Sequence, residues 1–136
     1  VTEHLDFLRY FTDKYADIIF ANEEESFAYT QARPEEAVRI IGEKADMAIV
    51  KIGAKGSYIS HRNEVSHIQA VYTDNVIDTT GAGDIFAAGY LFGMANNFGI
   101  EKCGQIGALC ASEIIQSLGA KMSNESIKKI LYKLTC

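Results

Sequence analysis

A run of four uninterrupted apolar residues, Ile18-Ile19-Phe20-Ala21, sits directly behind a segment with helical spacing, and this pairing constrains the fold most. A half-exposed strand alternates its side chains between faces, so a continuous apolar run needs cover on both sides, as in a buried parallel-type strand. Over residues 2–15, Leu5, Leu8, Phe11 and Tyr15 recur at steps of three and four and make one helical face, with Thr2 read as the N-cap. A short helix to about Tyr29 follows Asn22-Glu23-Glu24-Glu25. Pro34 suits the first turn of a helix over 34–45, and Glu35 and Glu36 favour its N-terminus. Met47–Ile52 is a second strand. It enters the turn Gly53-Ala54-Lys55-Gly56 and returns hairpin-like as Ser57–Ser60. Arg62-Asn63-Glu64 turn the chain again, and 65–72 alternates as a half-buried strand. Strands interleaved with helices predict an α/β layered fold. Helices are expected over Ile85–Asn97, about 101–118, and from Ser123 to about Leu134.

Composition narrows the functional classes. Of 136 residues 48% are apolar, which is enough for a packed core, and no repeat or linker divides them, so residues 1–136 read as one domain. Thirteen Lys and Arg against eighteen Asp and Glu give a net charge of -5, which argues against nucleic acid as a partner. No apolar stretch reaches the ~20 residues of a membrane span. No basic and apolar leader opens the sequence. Cys103, Cys110 and Cys136 are too widely spaced for a metal site or a disulfide framework. The expectation is an acidic, soluble, cytoplasmic protein. Val1 is not Met, and the reading starts as if in mid-fold.

The chemistry concentrates in Asp78–Tyr90, DTTGAGDIFAAGY. Glycines just before a helix let the backbone turn tightly and approach a ligand without a Cβ in the way. The first N–H groups of the helix have no internal partner and, with the helix dipole, form an anion site. Asp84 at this terminus can serve as a general base, and an anion site beside a base suits phosphoryl transfer to an alcohol. An Asp capping a helix after a Gly turn would look the same in sequence. The small residues Ala87, Ala88, Gly89, Gly93 and Ala95 fit close helix packing, and Phe86, Tyr90 and Phe92 fit helix packing rather than substrate stacking. Cys103 and Cys110 lie seven apart on one helical face as small core residues. His4, His61 and His67 read as surface or structural.

DTTGAGD followed by x-F-x-A-G closely resembles the C-terminal signature of the ribokinase-like (PfkB-type) family of sugar and nucleoside kinases. Three further segments resemble family motifs in the family's order. Asn22-Glu23-Glu24-Glu25 matches N-x-x-E. Lys51-Ile52-Gly53-Ala54-Lys55-Gly56 matches T-x-G-x-x-G with Lys for Thr. Ala111–Ala120 is similar to the late helix bordering the adenine pocket, in a form nearest the adenosine-kinase-like members. The resemblance implies a three-layer α/β/α fold with a mostly parallel sheet. It implies ATP and Mg²⁺ as cofactors, with K⁺ in some members. It makes Asp84 the catalytic base and Gly81, Ala82 and Gly83 the backbone anion hole. Asn22 and Glu25 would organise phosphate and Mg²⁺ through water, since Mg²⁺ favours oxygen ligands and keeps several waters. Lys51, Gly53, Gly56 and Ile114 would border the nucleotide, with Asp78, and less directly Ser117, Gly119 and Ser123, near the K⁺ position.

The family chain is about twice this length, and its acceptor residues and β lid lie in the half that is not found here. The chain therefore reads as the C-terminal, ATP-side half of a larger kinase domain. Its small-molecule acceptor is expected to be a sugar or nucleoside, with ribose or adenosine types favoured. The alternative is a nucleotide-binding fragment without turnover. Uncovered apolar faces are expected to be met by the missing half or by a homo-oligomer.

Overall fold

The computed structural model describes residues 2–135, and the chain divides into two compact units, one running through Ile68 and one from Gln69. Val1 and Cys136 lie outside the described residues.

In the first unit a 3-10 turn over Thr2–His4 leads into α1 (Leu5–Tyr15), so the helix expected to be capped by Thr2 begins two residues later than expected, with His4 at the cap position. Then come β1 (Ile18–Asn22), α2 (Glu23–Thr30), α3 (Pro34–Gly42), β2 (Met47–Lys51), a 3-10 turn over Gly53–Lys55, β3 (Ser57–His61) and β4 (Glu64–Ile68). The four strands lie in sequence order in one sheet. β1 and β2 are parallel, while β2–β3 and β3–β4 are antiparallel. The sheet is mixed, and the expectation of a mostly parallel one fails on connection length. A parallel neighbour needs a crossover of a dozen or more residues, which α2 and α3 supply between β1 and β2. Only Ile52–Gly56 join β2 to β3, and only Arg62 and Asn63 join β3 to β4. Both of these hold positive φ (50° and 66°), the signature of a two-residue hairpin turn.

One face of the sheet is covered by α3. Val38 and Ile41 pack with Ala48, Val50 and Ile52 in a cluster that Ile19, Tyr29, Tyr58 and Val65 extend. Pro34 does open α3, with Glu35 and Glu36 in its first turn, but the helix closes at Gly42 rather than 45. α1 buries none of its residues. Its expected inner residues Phe11 and Tyr15 are exposed, and Phe7, Phe11 and Tyr15 form a ladder of neighbouring rings, 6.2 and 5.4 Å apart between centroids.

The second unit holds α4 (Ala82–Ala95), α5 (Ile100–Ile114) and α6 (Asn124–Thr135). α4 and α5 pack closely because glycines line their contact. A Cβ on Gly89 would come within 2.8 Å of Cys110 Sγ and 3.1 Å of Gly107 Cα. Phe86 and Tyr90 are buried as expected, whereas Phe92 is exposed. Cys103 and Cys110 are free, buried thiols on α5, and burial pushes both above the ordinary thiol range. Ile106, Cys110 and Ile130 tie α5 to α6. Ser123 caps α6, its Oγ accepting the N–H of Ser126 at 3.0 Å.

Candidate functional site

In the first unit the parallel ladder aligns two of the expected motifs. Asn22 ends β1 and Lys51 ends β2, and they are register partners. Both motifs therefore emerge at the carboxyl ends of parallel strands, where open α/β sheets place ligand crevices. Asn22 and Glu25 form a reciprocal capping box at the start of α2. Asn22 Oδ1 accepts the Glu25 N–H at 2.7 Å, and Glu25 Oε2 accepts the Asn22 N–H at 2.8 Å. The N-x-x-E spacing is itself the capping-box spacing, a signal present in the sequence that motif matching passes over. Both side chains are exposed, and among the described residues no protein donor takes the second oxygen of Glu25.

Lys51 is half-buried and lies opposite Ser57 on β3. The loop after it is fixed by its glycines. Gly53 holds φ 60° and Gly56 φ 99°, a region that side chains disfavour. Ile52 N–H donates to Gly56 O at 2.9 Å and Gly56 N–H to Gly53 O at 3.0 Å. His67 Nε2 meets Lys55 O at 2.8 Å, a tie from β4 that spacing alone does not reveal.

In the second unit the expected anion hole is the first turn of α4, with Gly81 at the cap position in the left-handed region (φ 75°). A Cβ there would meet Ala120 Cβ at 2.5 Å, so Gly81 is needed for conformation and for space alike. Ala82, Gly83 and Asp84 are helical residues and not the loop ahead of the helix. Ala82 N–H donates to Thr79 O, and Ile85 N–H closes onto Gly81 O. The N–H groups of Gly83 and Asp84 have no partner among the described residues. Asp84 is exposed, and its carboxylate makes no hydrogen bond or ion pair among the described residues.

Asp78 clamps this loop to the segment after α5. Its Oδ1 accepts the Thr80 N–H and its Oδ2 the Gly119 N–H, each at 2.9 Å. The N–H groups of Ile77 and Asp78 both donate to Ile115 O. Hydrogen bonds from Thr80, side chain and backbone, and then from Gly119 hold the Asp78 carboxyl below the ordinary aspartate range. Ser117 Oγ donates to Ile114 O. Ile114 ends α5 with its side chain fully buried.

The expected residues thus gather in two sets: Asn22, Glu25, Lys51, Gly53 and Gly56 in the first unit, and Asp78, Gly81–Asp84 and Ile114 in the second. No cluster of three or more His, Cys, Asp or Glu suited to hold a metal occurs among the described residues. None of the helices is long and apolar enough to cross a membrane, among the described residues.

The comparisons with known proteins agree with the motifs. Residues 6–127 match the model of the pfkB family carbohydrate kinases. A nucleoside kinase of Methanocaldococcus jannaschii is 36% identical over 92 residues, which cover 68% of this chain and 30% of that one. The crystal structure of adenosine kinase from Sinorhizobium meliloti superposes with a TM-score of 0.89 at 26% identity, over 96% of this chain and 41% of that one. The structure of Arabidopsis thaliana ribokinase complexed with ribose and ATP superposes with a TM-score of 0.77 at 28% identity, over 90% and 43%. The chain spans less than half the length of each of these relatives. The family model covers most of the chain and the fold agrees, so this chain belongs to the pfkB family of carbohydrate kinases.

Proposed function

We propose that this chain is the ATP side of a kinase that moves the γ-phosphoryl group of ATP to a hydroxyl of a sugar or nucleoside, with ribose and adenosine types favoured. One observation carries the reading. The first turn of α4 presents two N–H groups, of Gly83 and Asp84, that have no partner among the described residues, next to the exposed Asp84 carboxylate. In the proposed reaction Asp84 accepts the acceptor hydroxyl's proton as its oxygen bonds to the γ-phosphorus. The bond from that phosphorus to the bridging oxygen breaks, and ADP leaves. The N–H groups of Gly81, Gly83 and Asp84 stabilise charge on the phosphoryl oxygens, a role that needs donors fixed in advance, while the Ala82 N–H is already held by Thr79 O. Asn22, Lys51 and the 53–56 loop would hold the nucleotide.

The donor chemistry at Glu25 fits Mg²⁺ held through water, because one carboxylate oxygen stays free while the other holds the capping box. When bound, the ion would neutralise phosphate charge. At Asp78 each carboxylate oxygen already accepts a backbone N–H and the Thr80 side chain adds a further bond, so K⁺ there would share a carboxylate whose first task is the clamp.

The relatives' greater length supports placing this chain within a larger kinase domain whose remainder supplies the acceptor site. The uncovered side of the first unit fits that placement. Among the described residues β1 pairs with β2 alone, and a groove of about 200 Å³ is lined by Leu8 of α1 with Ile19, Ala21 and Tyr29. Further chain of that domain or a second copy would cover it.

Asp84→Asn tests the reading in the protein that carries the acceptor side. Turnover is expected to fall by about 10²–10⁴-fold. Nucleotide affinity should stay close to the unsubstituted value. Near-normal phosphorylation by the Asn variant would remove Asp84 as the base.

A further inference from the structure

We infer that His67 is a positioning residue that holds the 53–56 loop in its nucleotide-receiving shape, an inference that rests on the reading of that loop given above. His67 stands opposite Tyr58 in the β3–β4 ladder, with the two rings 5.0 Å apart. From that seat its Nε2 reaches Lys55 O at 2.8 Å. A carbonyl only accepts, so Nε2 carries the hydrogen in this contact. The loop's other hydrogen bonds stay within the β2–β3 connection: Lys55 N–H to Ile52 O, Gly56 N–H to Gly53 O, and Ile52 N–H to Gly56 O. Among the described residues, the His67 bond is the one that ties this connection to another strand. Among the described residues the tip stands open: Gly53, Ala54 and Lys55 are exposed, and a Cβ on Gly53 would meet open space. The N–H groups of Gly53 and Ala54 have no protein partner among the described residues. They are available to an anionic ligand, and the shape of the turn sets their direction. A single bond, from a ring held at a tilt against Tyr58, thus decides how long the turn keeps that direction.

The test compares three variants of this chain. His67→Phe keeps a ring against Tyr58 and removes the donor. His67→Gln restores an N–H at similar reach. His61→Phe removes a histidine–carbonyl contact of the same kind, His61 Nδ1 with Asp46 O at 3.0 Å, at the other end of β3. Two readouts are taken: affinity for Mg·ATP by calorimetry, and amide hydrogen exchange at Ile52 and Gly56. His67→Phe is expected to weaken nucleotide binding by about three- to tenfold. It should also speed exchange at both amides. His67→Gln should return most of both effects, and His61→Phe should match the unsubstituted chain. Unchanged affinity and exchange in His67→Phe would overturn the inference, as would a His67→Gln variant no better than Phe, since ring packing would then be the cause. If the unsubstituted chain binds no nucleotide, the nucleotide reading of the loop falls on its own. Exchange then still decides the positioning: unchanged protection in His67→Phe overturns it, and lost protection that Gln restores upholds it.

Discussion

The Asp78 carboxylate accepts one N–H from two residues further along the chain and another from 41 residues further along, so one side chain sets where the glycine turn begins. Its acidity follows from those bonds. Thr80 and then Gly119 favour the charged form, so the carboxyl titrates below the ordinary value of 3.8. A depressed carboxyl stabilises the fold fully above its unfolded value, and the contribution is lost as pH falls through the folded one. Protection of the Gly119 amide against exchange is therefore expected to be intact above pH 3.8 and to be lost only as pH falls further, through the lowered folded value. In Asp78→Asn, one acceptor becomes an NH₂ that faces a donor, so that protection should be weak at every pH. Equal protection in the Asn variant would show that the bonds from Ile77 and Asp78 to Ile115 O suffice to hold the loop. The same residue scale explains what the sequence hid at Asn22 and Glu25. Polar side chains at N-x-x-E spacing serve a helix start and a phosphate site equally well, and the structure uses them for the helix start without closing the free oxygen of Glu25.

Among elements, the contact of α4 with α5 is set by three glycines. Gly89, Gly93 and Gly107 each sit where a Cβ would come within about 3 Å of the facing helix, at Cys110 Sγ, Cys103 Sγ and Phe86 O. Gly89→Val should push the helices apart and cost about 1–3 kcal/mol. Thermal unfolding should drop by roughly 4–15 °C. Gly99→Ser, in open space at the cap of α5, should be neutral or slightly stabilising. A Gly89→Val chain that melts with the parent would mean the two helices separate at little cost. Small residues at this spacing were legible as close packing, and so was the order of strands and helices. Element ends were less so, because partners decide them. The alternation over 65–72 runs on to Tyr72, but β4 stops at Ile68, where it has reached Ser57, the first residue of β3. Past that point no strand remains to pair with, and Tyr72 is 86% exposed. Likewise the apolar pattern continues past Ile114, yet α5 ends there. Ile115 O is taken by Ile77 and Asp78, a contact no local pattern reports.

For the whole chain the deciding quantity is apolar surface left in water. α1 has the periodicity of a core-facing helix, yet Phe7 is 65% and Tyr15 58% exposed. Among the described residues β1 is also an edge strand, so the first unit leaves both apolar rings and a sheet edge open to association. Such surfaces drive association, and unpaired strand edges invite further strands. The chain by itself is expected to self-associate with rising concentration, read as a growing weight-average mass in sedimentation. Phe7→Glu with Phe11→Glu should shift it towards monomer. These substitutions lie on exposed side chains and leave the clusters of both units untouched, so the melting temperature should change little. Monomer at all concentrations in the unsubstituted chain would mean that α1 tolerates water as it stands, and the proposed covering by a larger domain would lose its physical motive. Association that the two charges do not relieve would place the contact elsewhere, on α4 or α6, where Leu91 and Tyr132 are also exposed.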